Sequence, residues 1–339
     1  MPQQPNPALA DVYRKNIVES CHRGSAIVVD HVGQTVLSIG DTGRNIFPRS
    51  SLKFFQALPL VESGAADHFK LSDAEIALAC ASHIAEQVHT EAVRQWLERI
   101  GLGVDDLENG PALPLSEDAK IELYANREQP TRVHQNCSGK HTGMLTLARF
   151  LGQDPRGYSD HGHAVQRAWM SSFSEMVKLD IAGLEWERDG CGLPAICMPM
   201  KALAYGCALL ARPHSLGATR EQAIKRIMSA VAANPVMIAG TGRCCTDVIR
   251  ETGGSVLVKT GAEAVYVGVL REQGLGLVIK IDDGATRGSE VALGALLQKL
   301  DAISSETADR LARHFRPGIF NSQEFRTGAV VPSAIWSSL

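Results

Sequence analysis

A serine and a lysine stand three residues apart in the segment PRSSLK, at Ser50 and Lys53. On one face of a helix, a hydroxyl and an amine at this spacing can meet. A lysine whose pKa is lowered by burial or by nearby positive charge can take the serine proton and make the oxygen a nucleophile. The alternative is a helix-capping serine followed by a lysine in solvent, and the motif alone favours that alternative. On the first interpretation Ser50 and Lys53 are candidate catalytic residues.

A second lysine stands in the triplet Lys259-Thr260-Gly261, at the end of the run SVLVK. A K-T-G triplet on a late strand, after an S-x-x-K motif, belongs to the signature of serine β-lactamases and penicillin-binding proteins. The lysine would supply charge, the threonine a hydrogen bond, and the glycine an open strand edge for a substrate. The third element of that signature, S-D-N, is absent, and its nearest substitute is Ser82. Residues without a chemical role are the alternative, but two motifs in the right order favour chemistry.

Two of the eight cysteines lie in glycine-rich polar segments, Cys137 in NCSGKH and Cys191 in DGCGLP. The glycines on both sides of Cys191 predict a tight turn that fixes the direction of its thiol. Two thiols and a nearby amine can hold a zinc ion if the two loops meet. Because the chain lacks the C-x-x-C pairs of structural zinc sites, two buried thiols beside glycine turns are an equal alternative.

The composition is that of a globular protein with a large core. Of the 339 residues, 45% are apolar and 21% are charged, and the net charge is -3, which disfavours disorder and a nucleic-acid partner. Residues 1–11 are polar, and no run of about 18 apolar residues occurs, so neither an export signal nor a membrane span is expected. The cysteines are therefore expected to be reduced thiols in a cytoplasmic protein.

Hydrophobic periodicity predicts strands near both ends of the chain and helices in the middle. Strands are expected around a turn at 32–34, and the runs SVLVKT, AVYVGVL and LGLVIKI predict an antiparallel meander. Residues 110–130 show no clear period. Helices are expected at 50–61 (kinked or ended by Pro59), 72–81 (capped by Ser72), 90–100, 138–150, 163–178, 199–210, 219–232 and 286–300.

These elements predict a mixed α+β fold. One antiparallel sheet would be assembled from both chain ends, at about 20–45 and 254–300, with helices packed on it. A helical region would cover about 50–235. Since no linker or repeat marks a boundary, residues 1–339 are expected to form a single domain.

Five separated segments together give the sequence a family resemblance. In order along the chain, RSSLKFFQALPLVESG, ALACASH, NCSGKHTGML, DGCGLPA and VKTGAE resemble the Rhizobium-type L-asparaginases over nearly the whole length. The resemblance implies a fold similar to that of serine β-lactamases and serine-dependent glutaminases. It also implies a homodimer that hydrolyses L-asparagine to L-aspartate and ammonia.

The resemblance further implies roles for particular residues. It pairs Ser50 with Lys53 and Ser82 with Lys259 in two serine–lysine tandems, and it implies that the serine of the first tandem is the nucleophile. Because serine already supplies a nucleophile, a zinc ion is expected to position the substrate rather than to generate hydroxide. The resemblance matches Cys137, Lys140 and Cys191 to positions that bind zinc in some members, where an aspartate matching Asp189 holds a metal-bound water. The residues that we predict to bind the substrate are Arg49, Asn136, His141 and Asp189.

One segment departs from the family pattern. After the Ser-His pair the family commonly continues Ser-Gly-Glu, whereas this sequence has Ile84-Ala85-Glu86. Ile84 removes a hydroxyl near the expected pocket, and Ala85 stiffens a tight turn, so substrate range and loop shape are expected to differ. The later histidine, His89, is retained.

The predicted function is that of an L-asparaginase, an amidohydrolase of amino-acid catabolism. Two alternatives stay open. An extra methylene changes binding by only about 1–3 kcal/mol, so a glutaminase or another amidohydrolase of the β-lactamase fold fits the same motifs. A zinc- or amino-acid-binding protein without turnover fits the cysteines but leaves the Ser/Lys quartet without a purpose.

Overall fold

A computed structural model describes residues 5–338, with strands near both ends of the chain and helices between them. Residues 1–4 of the polar N-terminal segment lie outside the described range. The strands are β1 (Ala8–Arg14), β2 (Ile17–Asp30), β3 (Thr35–Ile39), β4 (Asn45–Ile46), β5 (Trp186–Arg188), β6 (Pro194–Ile196), β7 (Met198–Pro199), β8 (Val256–Gly261), β9 (Val265–Leu270), β10 (Leu275–Ile281), β11 (Gly318–Phe320) and β12 (Arg326–Pro332).

Helices of very different lengths make up most of the remainder. The α-helices are α1 (Lys53–Gln56), α2 (Leu58–Glu62), α3 (Ala65–His68), α4 (Asp73–Ala79), α5 (Gln87–Arg99), α6 (Glu117–Ala125), α7 (Ser138–Phe150), α8 (Ala164–Val177), α9 (Met200–Ala211), α10 (Ala218–Ala233), α11 (Pro235–Ala239), α12 (Cys244–Glu251), α13 (Thr286–Lys299), α14 (Ser305–Arg310) and α15 (Ala312–Phe315). Short 3-10 turns occur at Arg49–Leu52, Val104–Asp106, Arg132–His134, Pro213–Ser215 and Ala334–Ser337.

The main sheet is antiparallel and contains strands from both ends of the chain, as the sequence predicts. Its strand order is β11-β12-β1-β2-β10-β9-β8, and β3 also pairs with β2. The meander β8–β9–β10 and the β2–β3 hairpin with its turn at Gly33 (φ +88°) confirm the predicted strands. Strands β1, β11 and β12 extend the sheet beyond the predicted segments. They are not predicted from the sequence, because their apolar residues are too sparse to show a period.

The chain divides into two compact units. The sheet unit comprises the described residues up to Ser51, Met198–Arg212 and those from Asp247 onward. The helical unit comprises Leu52–Cys197 and Pro213–Thr246. The sheet unit also contains the helices α9, α13, α14 and α15, and the single domain expected for residues 1–339 stays a prediction.

Within the sheet unit, the central strands are buried on both faces. Every residue of β9 is buried, which means that neither face of this strand meets solvent. Helices α9 and α13 pack on the sheet. Gly276 of β10 touches the α9 backbone, since a Cβ there would lie 2.0 Å from the carbonyl oxygen of Ala204. Close packing of a helix on the sheet thus requires glycine at this position.

Within the helical unit, α7 is the central helix. All of its residues from Ser138 to Ala148 are buried, and it contacts α2, α3, α4, α5 and α8. A helix that is buried on all sides forms a core rather than a surface layer. A Cβ on Gly139 would lie 2.5 Å from Leu78 Cγ and 2.6 Å from its carbonyl oxygen, so α4 touches the α7 backbone. The first turn of α7 is therefore held against the end of α4.

Most predicted helices are confirmed, and two regions differ. The capping box of Ser72 and Glu75 is present at the start of α4. The single helix predicted for residues 50–61 is instead a 3-10 turn followed by α1 and α2, with Pro59 in the first turn of α2. Proline lacks the N–H that would continue α1, which explains the break. The aperiodic stretch 110–130 contains α6, capped by Ser116 and buried only at Leu123.

No helix within residues 5–338 is long and apolar enough to cross a membrane.

Candidate active site

A buried lysine lies at the centre of a polar cluster in the helical unit. Lys53, the first residue of α1, is fully buried. Its Nζ donates to the carbonyl oxygen of Ala81, to Ser82 Oγ at 2.9 Å and to Cys137 Sγ at 3.1 Å. The structure therefore joins two predicted catalytic residues, Lys53 and Ser82, to a predicted zinc ligand.

Burial shifts the pKa of this lysine. It lowers the pKa of Lys53, and the nearby Lys140 lowers it further, while Cys137 partly offsets the shift. An amine moved towards its neutral form is a better proton acceptor near neutral pH. This is the direction that the sequence-based mechanism requires.

The loop after α4 fixes Ser82 through backbone hydrogen bonds. Ser82 N–H donates to the carbonyl oxygen of Ile238 at 2.9 Å, and His83 N–H donates to that of Asn136 at 3.1 Å. His83 Nδ1 accepts from Ala85 N–H, so its proton lies on Nε2, which donates to Ser138 Oγ at 2.8 Å. Burial holds the pKa of His83 well below its usual value, which keeps this ring neutral. His83 is thus a brace between the Ser82 loop and α7.

The departure from the family pattern lies in this loop. Ala85 has φ +62°, a left-handed conformation that costs an L-residue about 1–2 kcal/mol. Ile84 is buried against Gly240, where a Cβ would approach Ile84 Cγ1 to 2.3 Å. The Glu86 carboxylate accepts from Thr241 N–H at 3.1 Å. The loop therefore stays ordered without glycine, at the cost of local backbone strain.

The three predicted zinc ligands lie together in the helical unit. Cys137 caps α7, Lys140 lies in its first turn, and Cys191 lies in the hairpin loop between β5 and β6. Lys140 Nζ donates to Cys191 Sγ at 3.2 Å. The Cys137 and Cys191 thiols are also hydrogen-bonded to each other. Gly192, with φ +91°, confirms the predicted tight turn beside Cys191.

The pKa values of the three predicted ligands are shifted in different directions. The hydrogen bond from Cys137 holds the pKa of Cys191 well below its usual value, and the same bond and burial raise that of Cys137 to about 12. Burial would lower the pKa of Lys140, but Cys137, Cys191 and Asp189 raise it. Two sulfur atoms that contact each other, with an amine that contacts one of them, are a donor set that fits zinc, which prefers sulfur and nitrogen ligands.

Predicted substrate-binding residues surround this cluster. Asn136 Oδ1 lies 3.4 Å from Cys137 Sγ. Asp189 lies in the same hairpin loop as Cys191, and its Oδ1 accepts from Gly190 N–H at 2.6 Å. His141 is fully buried, and its Nδ1 lies 2.6 Å from the hydroxyl of Tyr158. Burial and the charge of Lys140 lower the pKa of His141 to about 3, so the imidazole is neutral.

The sheet unit holds the remaining predicted residues. Lys259 is fully buried at the end of β8 and donates to the carbonyl oxygen of Thr260 at 2.8 Å. Arg49 and Ser50 are half-buried in the 3-10 turn, and Arg49 has a positive φ of +55°. A Cβ on Gly261 would lie 2.4 Å from the Pro48 carbonyl oxygen. Gly261 therefore admits the chain's own segment before Ser50, where the sequence had suggested an open edge for substrate.

Comparison with known protein families places the chain. Residues 10–332 match the family described as L-asparaginase II. The chain belongs to the L-asparaginase II family. No curated protein matches its sequence significantly.

Three solved structures are similar to this L-asparaginase II family member at low sequence identity. The first is a candidate β-lactamase from Bacteroides dorei, with 11% identity over 76% of this chain and 84% of that chain and a TM-score of 0.42. The second is a class C β-lactamase mutant, with 13% identity over 78% of this chain and 89% of that chain and a TM-score of 0.41. The third is a D-alanine carboxypeptidase from Burkholderia cenocepacia, with 11% identity over 80% of this chain and 93% of that chain and a TM-score of 0.38.

As a member of the L-asparaginase II family, the chain is an amidohydrolase of the asparaginase type. Sequence reasoning found the lysines, Ser82 and the cysteines of the cluster, but it assigned no role to the residues that hold them. His83 was visible as the neighbour of Ser82 in the ASH motif. Ser138 and Tyr158 carry no such signal, because Tyr158 lies in a loop without any recognisable pattern.

Proposed function

We propose that this family member is an L-asparaginase that hydrolyses L-asparagine to L-aspartate and ammonia by a serine–lysine mechanism. The observation that best supports the proposal is the buried Lys53, whose Nζ lies 2.9 Å from Ser82 Oγ and whose pKa is lowered by burial. A neutral amine beside a hydroxyl is the arrangement that activates a serine or relays its proton.

The reaction proceeds in two steps. The serine oxygen attacks the side-chain amide carbon while a lysine takes its proton, and ammonia leaves after that proton is returned to nitrogen. Water then hydrolyses the resulting β-aspartyl ester and regenerates the serine. From the sequence, Ser50 with Lys53 is the predicted nucleophilic pair and Ser82 with Lys259 the second pair. Donors placed at the developing oxyanion are each worth about 3–4 kcal/mol in hydrolases of this kind.

A zinc ion held by Cys137, Lys140 and Cys191 would supply positive charge that anchors the amino-acid end of the substrate. The donor set described above supports this part of the proposal. Lys140 donates its lone pair only as a neutral amine, so binding requires the loss of its proton. Arg49, Asn136, His141 and Asp189 are the proposed contacts to the substrate.

Ammonia release from L-asparagine and from L-glutamine tests the proposal. The purified protein is compared with Ser50→Ala, Ser82→Ala and Lys53→Met, and with Ser171→Ala as a control on the exposed side of α8. We expect release from asparagine that is lost in the first three variants and kept in the fourth. Release from glutamine alone would favour a glutaminase. No release from either amide, with and without added zinc, would support a binding protein without turnover.

The homodimer implied by the family resemblance is part of the same proposal. Light scattering after size exclusion, at concentrations that span those of the activity assay, is expected to give twice the mass of the 36.5 kDa chain. A monomer with full activity would show that no partner subunit is needed.

A further inference from the structure

A chain of hydrogen bonds runs from the backbone to a buried histidine of the helical unit. Glu108 N–H donates to the hydroxyl oxygen of Tyr158 at 2.8 Å, and that oxygen lies 2.6 Å from His141 Nδ1. Both side chains are fully buried, with 0% exposure. The Tyr158 hydroxyl and His141 Nδ1 therefore form their hydrogen bonds with each other and with Glu108 N–H rather than with solvent.

The first bond decides the direction of the second. A tyrosine hydroxyl has one hydrogen to donate, and the oxygen of Tyr158 already accepts from Glu108 N–H. Among residues 5–338, His141 Nδ1 is the acceptor within hydrogen-bond distance of that hydroxyl. The opposite direction would leave a buried O–H without an acceptor, which is costly. Tyr158 therefore donates to Nδ1.

The tautomer of His141 follows. An imidazole that accepts at Nδ1 carries its proton at Nε2. In the part of the chain that the structure describes, His141 Nε2 is buried without a hydrogen-bond partner. A buried N–H without a partner is uncommon in folded proteins, and a ligand that accepts its hydrogen bond is one explanation for it.

The position of His141 indicates which ligand this N–H meets. His141 lies one helical turn after Cys137 and next to Lys140, so it shares the first turn of α7 with two proposed zinc ligands. Tyr158 lies within electrostatic range of Cys191. The donor thus belongs to the cluster that is proposed to hold the amino-acid end of the substrate, whose α-carboxylate offers acceptor oxygens.

We propose that Tyr158 is a positioning residue, which locks His141 in the Nε2-protonated tautomer so that His141 donates to the α-carboxylate of the amino-acid substrate. The inference rests on the proposed function, because it assumes an amino-acid ligand at this cluster. Tyr158 acts through His141 and does not touch the substrate. The same N–H would bind the product L-aspartate, which carries the same α-carboxylate.

Three variants separate this role from a structural one. Tyr158→Phe removes the donor to Nδ1 and keeps the ring. His141→Gln places an amide donor near the position of Nε2, whereas His141→Asn places one near Nδ1. Melting temperatures establish that each variant is folded before any other comparison.

The tautomer is read by NMR of the protein labelled with ¹⁵N-histidine, with the His141 signals assigned by their loss in His141→Gln. We expect a protonated Nε2 in the parent and a mixture of tautomers in Tyr158→Phe. L-aspartate affinity, measured by calorimetry, is expected to fall about tenfold in Tyr158→Phe and roughly tenfold to a hundredfold in His141→Asn, as for the loss of one hydrogen bond to a charged group. KM for asparagine follows the same order, while kcat changes little.

Two comparisons complete the test. His141→Gln is expected to bind aspartate more tightly than His141→Asn, and adding Tyr158→Phe to His141→Gln is expected to cause no further loss of affinity. A parent protonated at Nδ1, an unchanged tautomer in Tyr158→Phe, or equal losses in the Gln and Asn variants would overturn the inference. A parent that binds aspartate but releases no ammonia would defeat the proposed function alone, since the tautomer and the binding order would still be measurable.

Discussion

Two lysines of one buried cluster have opposite pKa shifts. Burial lowers the pKa of Lys53, whereas the thiols of Cys137 and Cys191 and the carboxylate of Asp189 raise that of Lys140 despite its burial. The difference arises from partners rather than from depth, because both side chains are buried. The two lysines therefore suit different chemistry: Lys53 is suited to accept a proton, and Lys140 is held as a cation between the thiols and the Asp189 carboxylate.

Ala85 is a residue at which strain and function can be separated. Its φ of +62° predicts that Ala85→Gly stabilises the protein by up to about 1 kcal/mol, because relief of the left-handed strain exceeds the entropy that glycine adds to the unfolded chain. Lys70, exposed and with φ +52°, provides the matched control as Lys70→Gly. Thermal melts and asparagine kinetics of both variants measure the effect.

Because Ala85 follows Ser82 by three residues, only Ala85→Gly is expected to change kinetic parameters as well as stability. Identical kinetics in the two variants would show that this turn has no influence on the reacting groups.

For single residues, the sequence predicts the reacting groups better than the residues that hold them in place. Ser82, Lys53 and the two cysteines stand in short motifs whose residue types indicate their use. His83 and Tyr158 act by fixing the tautomer or position of another side chain, and such roles depend on distances that spacing along the chain does not encode. For that reason Tyr158, 17 residues after His141, has no signal in the sequence alone.

Among the helices, the contact between α4 and α7 depends on glycine. A Cβ on Gly139 would overlap Leu78, whereas a Cβ on Gly143 would lie 3.3 Å from Ala79 Cβ and Leu60 Cδ2. Gly139→Ala is therefore expected to destabilise the protein by about 1–3 kcal/mol, as in overpacked cores. Gly143→Ala is expected to leave the stability nearly unchanged, because the higher helix propensity of alanine, about 1 kcal/mol, offsets the cost of the close contacts at 3.3 Å.

Denaturant unfolding of both variants measures this order, with Gly162→Ala as a control at a site where no atom lies within 4 Å. The change at Gly139 is also expected to reduce activity, because it displaces the end of α4 that leads to Ser82. Equal stabilities for the variants at positions 139 and 143 would mean that α4 and α7 can separate without cost.

In the sheet, Gly261 of β8 is a position where a tight backbone contact likewise requires glycine. Gly261→Ala places a Cβ 2.4 Å from the backbone oxygen of Pro48, and a backbone atom cannot move aside as a side chain can. We expect a loss of activity greater than the loss of folded protein, since the displaced segment leads directly to Ser50. Gly268→Ala, in the next strand, meets only the side chain of Leu277 and should lower stability without lowering activity per folded molecule.

Element boundaries were predictable wherever local chemistry marks them. The capping box at Ser72 and the glycine turns of the meander are local signals, and the structure confirms both. The interruption of the first helix is also a local signal, because Pro59 lacks the N–H that would continue α1, whereas the helix α6 was not predicted because it is mostly exposed on all sides. An exposed short helix has no apolar stripe from which to be recognised.

At the scale of the whole molecule, the pairing of distant segments was predictable only in outline. Two groups of β-branched runs at the chain ends imply a shared sheet, but the register of β2 against β10 and β1 is set by tertiary packing. The same applies to the cluster in the helical unit, where Cys137 and Cys191 meet across more than 50 residues of chain. Sequence motifs thus name the participants, and the fold supplies their distances.

One histidine of the sheet unit, His314, contributes stability that is expected to be lost as pH rises through neutrality. Burial alone would lower the pKa of His314, but interactions with Glu290 and with Asp247, at 2.6 Å, raise it. Protonated His314 therefore stabilises the folded state fully below about pH 6.5, the unfolded value, and this contribution is lost as pH rises through the higher folded value.

Thermal melts from pH 6 to pH 9 measure this dependence in the parent and in His314→Gln. The variant is expected to lose part of the slope, whereas His214→Gln, at an exposed histidine paired with Glu221, should keep it. A slope that is the same in all three proteins would assign the pH dependence to other groups.

Zinc binding at the three proposed ligands would couple this cluster to the stability of the folded protein. A ligand that binds only the folded state stabilises it by about 2.7 kcal/mol at a concentration one hundred times its Kd. If Cys137, Lys140 and Cys191 hold zinc, adding the ion to metal-free protein should raise the melting temperature by several degrees, and a chelator should reverse the change.

Cys191→Ser should abolish this rise in melting temperature, because a hydroxyl is a poorer zinc ligand than a thiol whose pKa is already low. Cys197→Ser removes a half-buried thiol nearby in sequence and should leave the shift intact. An equal rise in melting temperature in both variants would mean that the metal binds elsewhere. If zinc does not raise the melting temperature of the parent, the cluster binds no zinc, and the low pKa of Cys191 arises only from its hydrogen bonds and charges within the cluster.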